Sequence, residues 1–223
     1  SAQNLLLRAQ DVPAVLDQLE TWNADPQHAL AGRLDLTRVG MSGHSFGAQT
    51  TQAVSGQSLP LVRTRLTDAR IQAAVVMSPG SPQRGDPKQA FGGIKLPWLL
   101  MTGTRDTAPI GGQTVESRRA VYPALPAGDK YELVLHNAEH SAFTERALPG
   151  DTQARNPNHH RRVDRNHLSV AVEGGPAAAA GRGFRVIDHR HRADLRDDPA
   201  AKKWLTGQGA AGVLETDDVW QSK

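Results

Sequence analysis

The sequence contains no cysteine in its 223 residues. Disulfides, thiolate catalysis and cysteine-ligated zinc are therefore excluded outright. Aromatic residues are scarce, at 4%. No window approaches 18 consecutive apolar residues, so no transmembrane helix is expected. The N-terminus has no basic stretch followed by an apolar one, so it does not read as a secretory leader. The chain opens at Ser1 without an initiator methionine. The expectation is a processed or partial product, with the compartment left open, cytoplasmic or exported.

What is present suits one globular domain: 38% hydrophobic and 22% charged residues over a length that can bury a sizeable core. The formal net charge is only +3, although the sequence pI is near 9.5. Most of the basic excess sits in Arg155–Arg196 and forms no coherent stripe with interleaved aromatics. A nucleic-acid-binding module is therefore disfavoured.

The most informative stretch runs from Leu36 to Thr51, L-T-R-V-G-M-S-G-H-S-F-G-A-Q-T-T. Gly43-His44-Ser45-Phe46-Gly47 fits G-x-S-x-G, the turn that projects a nucleophilic serine between a strand and a helix. Thr37–Met41 reads as a strand end and Ala48–Val54 as helical, which is the setting this motif requires. Strand and helix pass so close that a Cβ at either flanking position should collide, which favours glycine at both. The following helix directs its N-terminal N–H groups at the site. The Phe46 N–H, one residue after the serine, is placed to help hold an oxyanion.

Around this stretch the apolar pattern alternates between two periods. Asn4–Trp22 repeats Leu5, Leu6, Ala9, Val12, Val15, Leu16 and Leu19 at helical spacing, with Pro13 marking a break or a first turn. Arg70–Met77 and Leu96–Gly103 are short apolar runs of the kind that form parallel strands buried on both faces. A polar Pro/Gly loop, Ser81–Gly93, separates them, and Pro97 belongs near the start of the second. Thr114–Tyr122 is expected to be helical. Tyr131–Leu135 is a further strand, followed at once by a loop containing His136 and His140. The alternation implies an α/β fold with a mostly parallel sheet flanked by helices. Near the end, Asp198-Pro199 caps a short helix that runs through Trp204 and stops at Gly207. Val213–Trp220 reads as an acidic tail, with Trp204 and Trp220 as packing residues.

Open parallel sheets carry their functional groups at the carboxyl ends of the strands. Ser45, Asp106 and His140 fall there, in the order serine, acid, histidine. A serine hydroxyl needs a neighbouring base, and histidine can take its proton and return it to a leaving group. An aspartate would fix the imidazole tautomer and stabilise its cation. His44 and His136 compete for the base role. His44 adjoins the serine and should project elsewhere. His136 directly follows the strand and is the more serious rival. His140 is preferred because a short loop lets its ring reach back over the sheet edge.

At these residues the sequence resembles the α/β-hydrolase superfamily. More narrowly, it resembles the branch of platelet-activating-factor acetylhydrolase-type, dienelactone-hydrolase-like and bacterial cutinase-like esterases. The matching pieces are G-M-S-G-H-S-F-G-A at 40–48, L-M-T-G-T-R-D-T-A-P-I at 100–110 and L-H-N-A-E-H-S-A-F at 135–143. The resemblance covers roughly residues 1–158 and 197–223. It implies an α/β-hydrolase fold and serine esterase chemistry, with Asp106 as the acid and His140 as the base. It implies an acyl-enzyme route on a small-molecule ester, with no metal or organic cofactor. His44, Pro79, Ser81 and Phe143 are the candidate pocket-lining residues.

Two departures from that family matter. Nothing here corresponds to the N-terminal strands that supply half the sheet and a second oxyanion donor, so the chain reads as the C-terminal part of such a protein. A catalytically incomplete fragment or pseudoenzyme, with an open strand edge beside the nucleophile strand, is the alternative. Second, Arg161–Arg196 stands where a terminal helix is expected and keeps neither a helical nor a strand period. Five of the nine histidines, His159, His160, His167, His189 and His191, cluster at or near it. A solvated loop is the preferred reading of the 159–196 segment, and a metal site the sharper one. Oligomeric state is not legible.

Overall fold

The computed structural model describes residues 2–59, 62, 66–108, 110–143 and 198–223. The Arg/His-rich segment and its five histidines lie outside the described residues. Helix α1 spans Ala2–Ala24, strand β1 Val39–His44 and helix α2 Phe46–Val54. Next come β2 (Ile71–Met77), α3 (Pro87–Phe91), β3 (Trp98–Arg105), and α4 and α5 (Val115–Arg119 and Val121–Ala124). Strand β4 is Lys130–Glu139 and passes directly into a 3₁₀ turn, His140–Phe143. The described chain closes with α6 (Pro199–Thr206), α7 (Gln208–Ala211) and β5 (Val219–Ser222).

The five strands form one sheet in the order β1-β2-β3-β4-β5. The first four are parallel and β5 is antiparallel to β4. Among the described residues, β1 has a partner on one side only.

Alternate residues of the strands feed two separate cores, as the period of two requires. Val75, Met77, Leu99, Met101, Tyr131, Leu133 and Leu135 pack on one face beneath Ala201 and Leu205 of α6. Ala74, Val76, Trp98 and Leu100 pack on the other, beneath Ala48 of α2, Phe91 of α3 and Val121 of α5. Each fully buried leucine here contributes about 1.5–3 kcal/mol relative to exposure. The sheet therefore has helices on both faces, the α/β arrangement expected. Among the described residues, no helix is long and apolar enough to cross a membrane.

Several boundaries depart from the sequence reading. Pro13 neither breaks nor starts α1, because the helix runs through it from Ala2 to Ala24. That helix buries Ala9 and Leu16 and half-buries Leu5 and Val12, while Val15 is 56% exposed. The expected loop at Ser81–Gly93 contains α3. Asp86 caps it by accepting from the Lys88 N–H, and Pro87 occupies the first turn. The single helix expected at Thr114–Tyr122 is two short ones, the first opened by a Thr114/Ser117 capping box. The tail Val213–Trp220 is not merely irregular, since its end enters β5. Trp220 stacks on Tyr131 at 5.6 Å and donates to the Leu205 carbonyl at 3.2 Å.

Candidate active site

The sequence between β1 and α2 makes an abrupt turn at one residue. Ser45 has φ 57° and ψ −112°, a left-handed setting that costs a non-glycine residue about 1–3 kcal/mol. Its N–H is held by the Met77 carbonyl at 3.0 Å. The turn brings strand and helix into contact at Gly43, where an added Cβ would lie 2.3 Å from the Gly47 carbonyl oxygen. At Gly47 a Cβ would meet nothing within 4 Å. The steric demand expected at both flanking glycines thus holds at Gly43 alone. Phe46 opens α2, so its N–H has no carbonyl within the helix to bond.

The other two residues arrive from β3 and β4. The register sets His44 beside Met77, Met77 beside Met101, and Arg105 beside Glu139, so the strand ends form one rim. Gly103 lets β3 and β4 close up, since a Cβ there would sit 2.1 Å from the Ala138 carbonyl oxygen. Strand β4 runs four residues further than expected, to Glu139, through a left-handed Asn137 (φ 54°) that asparagine tolerates. His140 therefore follows the strand directly. His136 lies within the strand, its Nε2 4.0 Å from Asp217 and its N–H donating to Asp218, away from Ser45.

The result is a continuous chain of hydrogen bonds. Ser45 Oγ lies 2.9 Å from His140 Nε2, and His140 Nδ1 lies 2.7 Å from Asp106 Oδ1. Thr102 Oγ1 donates to Asp106 Oδ2 at 2.9 Å. An ionised carboxylate only accepts, so Nδ1 carries the ring proton and Nε2 is free to accept from the serine. Asp106 is 0% and His140 6% exposed. Burial pushes the Asp106 carboxyl up, but the His140 hydrogen bond and the Arg118 charge outweigh it and leave the group below its ordinary value.

His44 packs beside this chain, its ring centroid 4.6 Å from that of His140 and 6.1 Å from that of Phe143. Its Nε2 is buried without a hydrogen-bond partner among the described residues. Burial, reinforced by the neighbouring His140, lowers its pKa to about 4. His44 is thus a neutral wall of the site at neutral pH. Pro79 and Ser81 are buried in the loop after β2, and Phe143 in the turn after His140.

Three residues here were invisible to sequence reasoning. Gln52, fully buried, exchanges two hydrogen bonds with the Gly80 backbone at 2.8 and 3.0 Å. Gln113 does the same for the Ser81 backbone at 3.1 and 3.2 Å. Arg118, only 2% exposed, reaches into the rim from α4. It donates to the carbonyls of Ser78 (2.7 Å), Pro79 (3.0 Å) and Asp106 (2.9 Å). Its Nε also lies 3.1 Å from Asp106 Oδ1. Among the described residues, no group of three or more His, Asp or Glu side chains could hold a metal ion. Compared with known families and with curated proteins, the chain matches no family model and no curated sequence.

Proposed function

We propose that the chain is a serine hydrolase of the α/β-hydrolase type that cleaves carboxylic esters through an acyl-enzyme. The observation that carries this reading is the unbroken path from Ser45 Oγ through the His140 ring to Asp106, at 2.9 and 2.7 Å. The strained backbone at Ser45, at the mouth of α2, supports it independently. The resemblance of the 40–48, 100–110 and 135–143 segments to platelet-activating-factor acetylhydrolase-type and dienelactone-hydrolase-like esterases points the same way.

The chemistry follows from the geometry. Ser45 Oγ bonds to the ester carbonyl carbon while its proton passes to His140 Nε2. Asp106 steadies the resulting imidazolium. The carbonyl oxygen gains the negative charge, and the Phe46 N–H is the donor available to it in this rim. The carbon–oxygen bond to the leaving group then breaks, and His140 returns the proton to the departing alkoxide. A water molecule, deprotonated by His140, attacks the acyl-serine, releasing the acid and restoring Ser45. Alkoxides leave more easily than amide anions, which favours esters over amides.

A second reading, a catalytically incomplete relative of the same fold, draws on the one-sided pairing of β1 among the described residues. Exposure to a fluorophosphonate followed by intact-mass measurement separates the two. Ser45 displaces fluoride at phosphorus and His140 takes the hydroxyl proton, leaving one covalent adduct. A single adduct, absent from Ser45→Ala, is the expected result. A folded protein that takes up no adduct favours the incomplete reading.

A further inference from the structure

A buried arginine is costly, since removing a cation from water carries a penalty of several kcal/mol that only good partners offset. Three of the Arg118 acceptors are backbone carbonyls, which a neutral amide or a water would serve as well. Tying loops together does not by itself require a charge. Among the described residues, the charge has one ionic partner, the Asp106 carboxylate at 3.1 Å.

That pairing answers a difficulty in the resting site. When His140 is neutral, Asp106 is an anion with 0% exposure and needs a counter-ion. Without one it would take up a proton itself or draw one onto the neighbouring ring. The first event removes the anionic acceptor that fixes the Nδ1–H tautomer, and the second removes the neutral imidazole that Ser45 needs. Arg118 Nη2 also lies 3.2 Å from His140 Nδ1. With Nδ1–H donating to Asp106, that approach sets donor against donor, so the guanidinium and the ring are held side by side through the Asp106 Oδ1 they share and not by a bond to each other.

The surrounding charged groups leave Arg118 as the deciding one. From β1, His44 faces the His140 ring and is neutral above about pH 4. From the ends of β3 and β4, Arg105 and Glu139 pair with each other at 3.3 Å. From α4, burial draws the Arg118 guanidinium below its ordinary value and the Asp106 charge resists that. It remains a cation, because a guanidinium holds its proton too tightly to lose it in a protein.

We propose that Arg118 is a positioning residue that keeps Asp106 ionised and turned toward His140 Nδ1, so that the ring keeps the tautomer that leaves Nε2 open to Ser45. The proposal rests on the serine-hydrolase reading. It assigns no contact between Arg118 and substrate.

The test is the rate of fluorophosphonate labelling as a function of pH, for the native protein, Arg118→Gln and Arg118→Lys, each first checked for a cooperative melt. The glutamine variant keeps donors without charge. Its acid limb is expected to move up by about 1–3 pH units, the size of a lost neighbouring-charge effect, with most of the rate recovered at high pH. The lysine variant keeps the charge without the fork of donors. Its limb is expected to stay where the native limb lies, with a plateau about tenfold lower, the usual scale of a slightly misplaced group. A glutamine variant that loses rate equally at every pH would show a purely structural arginine and overturn the proposal. If the glutamine variant does not fold, the lysine variant decides. A native limb with a lower plateau supports the proposal, and a displaced limb or an unchanged plateau overturns it. A native protein that is never labelled refutes the underlying hydrolase reading instead, which keeps the two failures distinct.

Discussion

Gly43→Ala and Gly47→Ala change the same atom in the same five-residue motif, yet opposite outcomes are expected. At Gly43 the new methyl would lie 2.3 Å from the Gly47 carbonyl oxygen, 2.4 Å from its carbon and 2.8 Å from Thr51 Oγ1. Two of those neighbours are backbone atoms that cannot rotate away. Overpacking costs about 1–3 kcal/mol when side chains can adjust, so the upper end applies here. For a chain of this size each kcal/mol moves Tm by about 2–4 °C, so a fall of roughly 6–12 °C is expected. At Gly47 the methyl enters open space inside α2, where alanine is better than glycine by about 0.5–1 kcal/mol. A rise of about 1–4 °C follows. Calorimetric melts of both variants at one pH measure the difference, and fluorophosphonate labelling of the Gly43 variant reports whether Ser45 has moved. About a hundredfold slower labelling is expected from a 1 Å displacement of the Ser45 hydroxyl. Equal melting points for the two variants would refute the close-approach argument.

Asp106→Asn should slow Ser45 labelling by about 10⁴, because the amide no longer fixes the Nδ1–H tautomer. The same change strips Arg118 of its counter-ion and should cost about 3–5 kcal/mol, visible as a lower denaturation midpoint. A variant that is both active and stable would contradict the buried pairing. The His44 pKa, near 4 when folded, lies below the ordinary 6.5. The unfolded chain therefore binds more protons between those values, and stability falls as pH drops from about 6.5 to 4, by at most roughly 3 kcal/mol. His44→Gln should flatten that part of the stability curve. Native and variant curves that run parallel from pH 7 to 4 would rule the explanation out.

Strands, elbow and helix caps were readable in the sequence because each rests on local chemistry. Ser45 stands between a strand-forming run and a helix-forming one. Asp198-Pro199 announces a helix start, and the side chain does cap it, accepting from the Ala200 and Ala201 N–H groups. Asp86-Pro87 carries the same signal, overlooked because the helix it opens has only five residues. Strand β5 was missed for a different reason. Val219–Ser222 is four residues long, and only its pairing with β4 makes it a strand. The reach of β4 to Glu139 was hidden by Asn137, whose left-handed backbone looks like a loop in sequence. His140 is the histidine beside Ser45, but not across a short loop, since the strand itself delivers it. Arg118 had no signal at all. An arginine in a polar helix reads as solvated, and its burial exists only once three strand ends converge on α4.

That convergence has an evolutionary consequence. Ser78 and Pro79 follow β2, Asp106 follows β3 and His140 follows β4, yet one guanidinium contacts all of them. Substitutions in these loops share a partner, and residues that share a partner show interaction energies of about 0.5–3 kcal/mol. A change tolerated in one loop is therefore conditional on the residues present in the other two. The loops should drift as a linked set, and transplanting one of them from a relative should fail where transplanting all three together with the arginine succeeds.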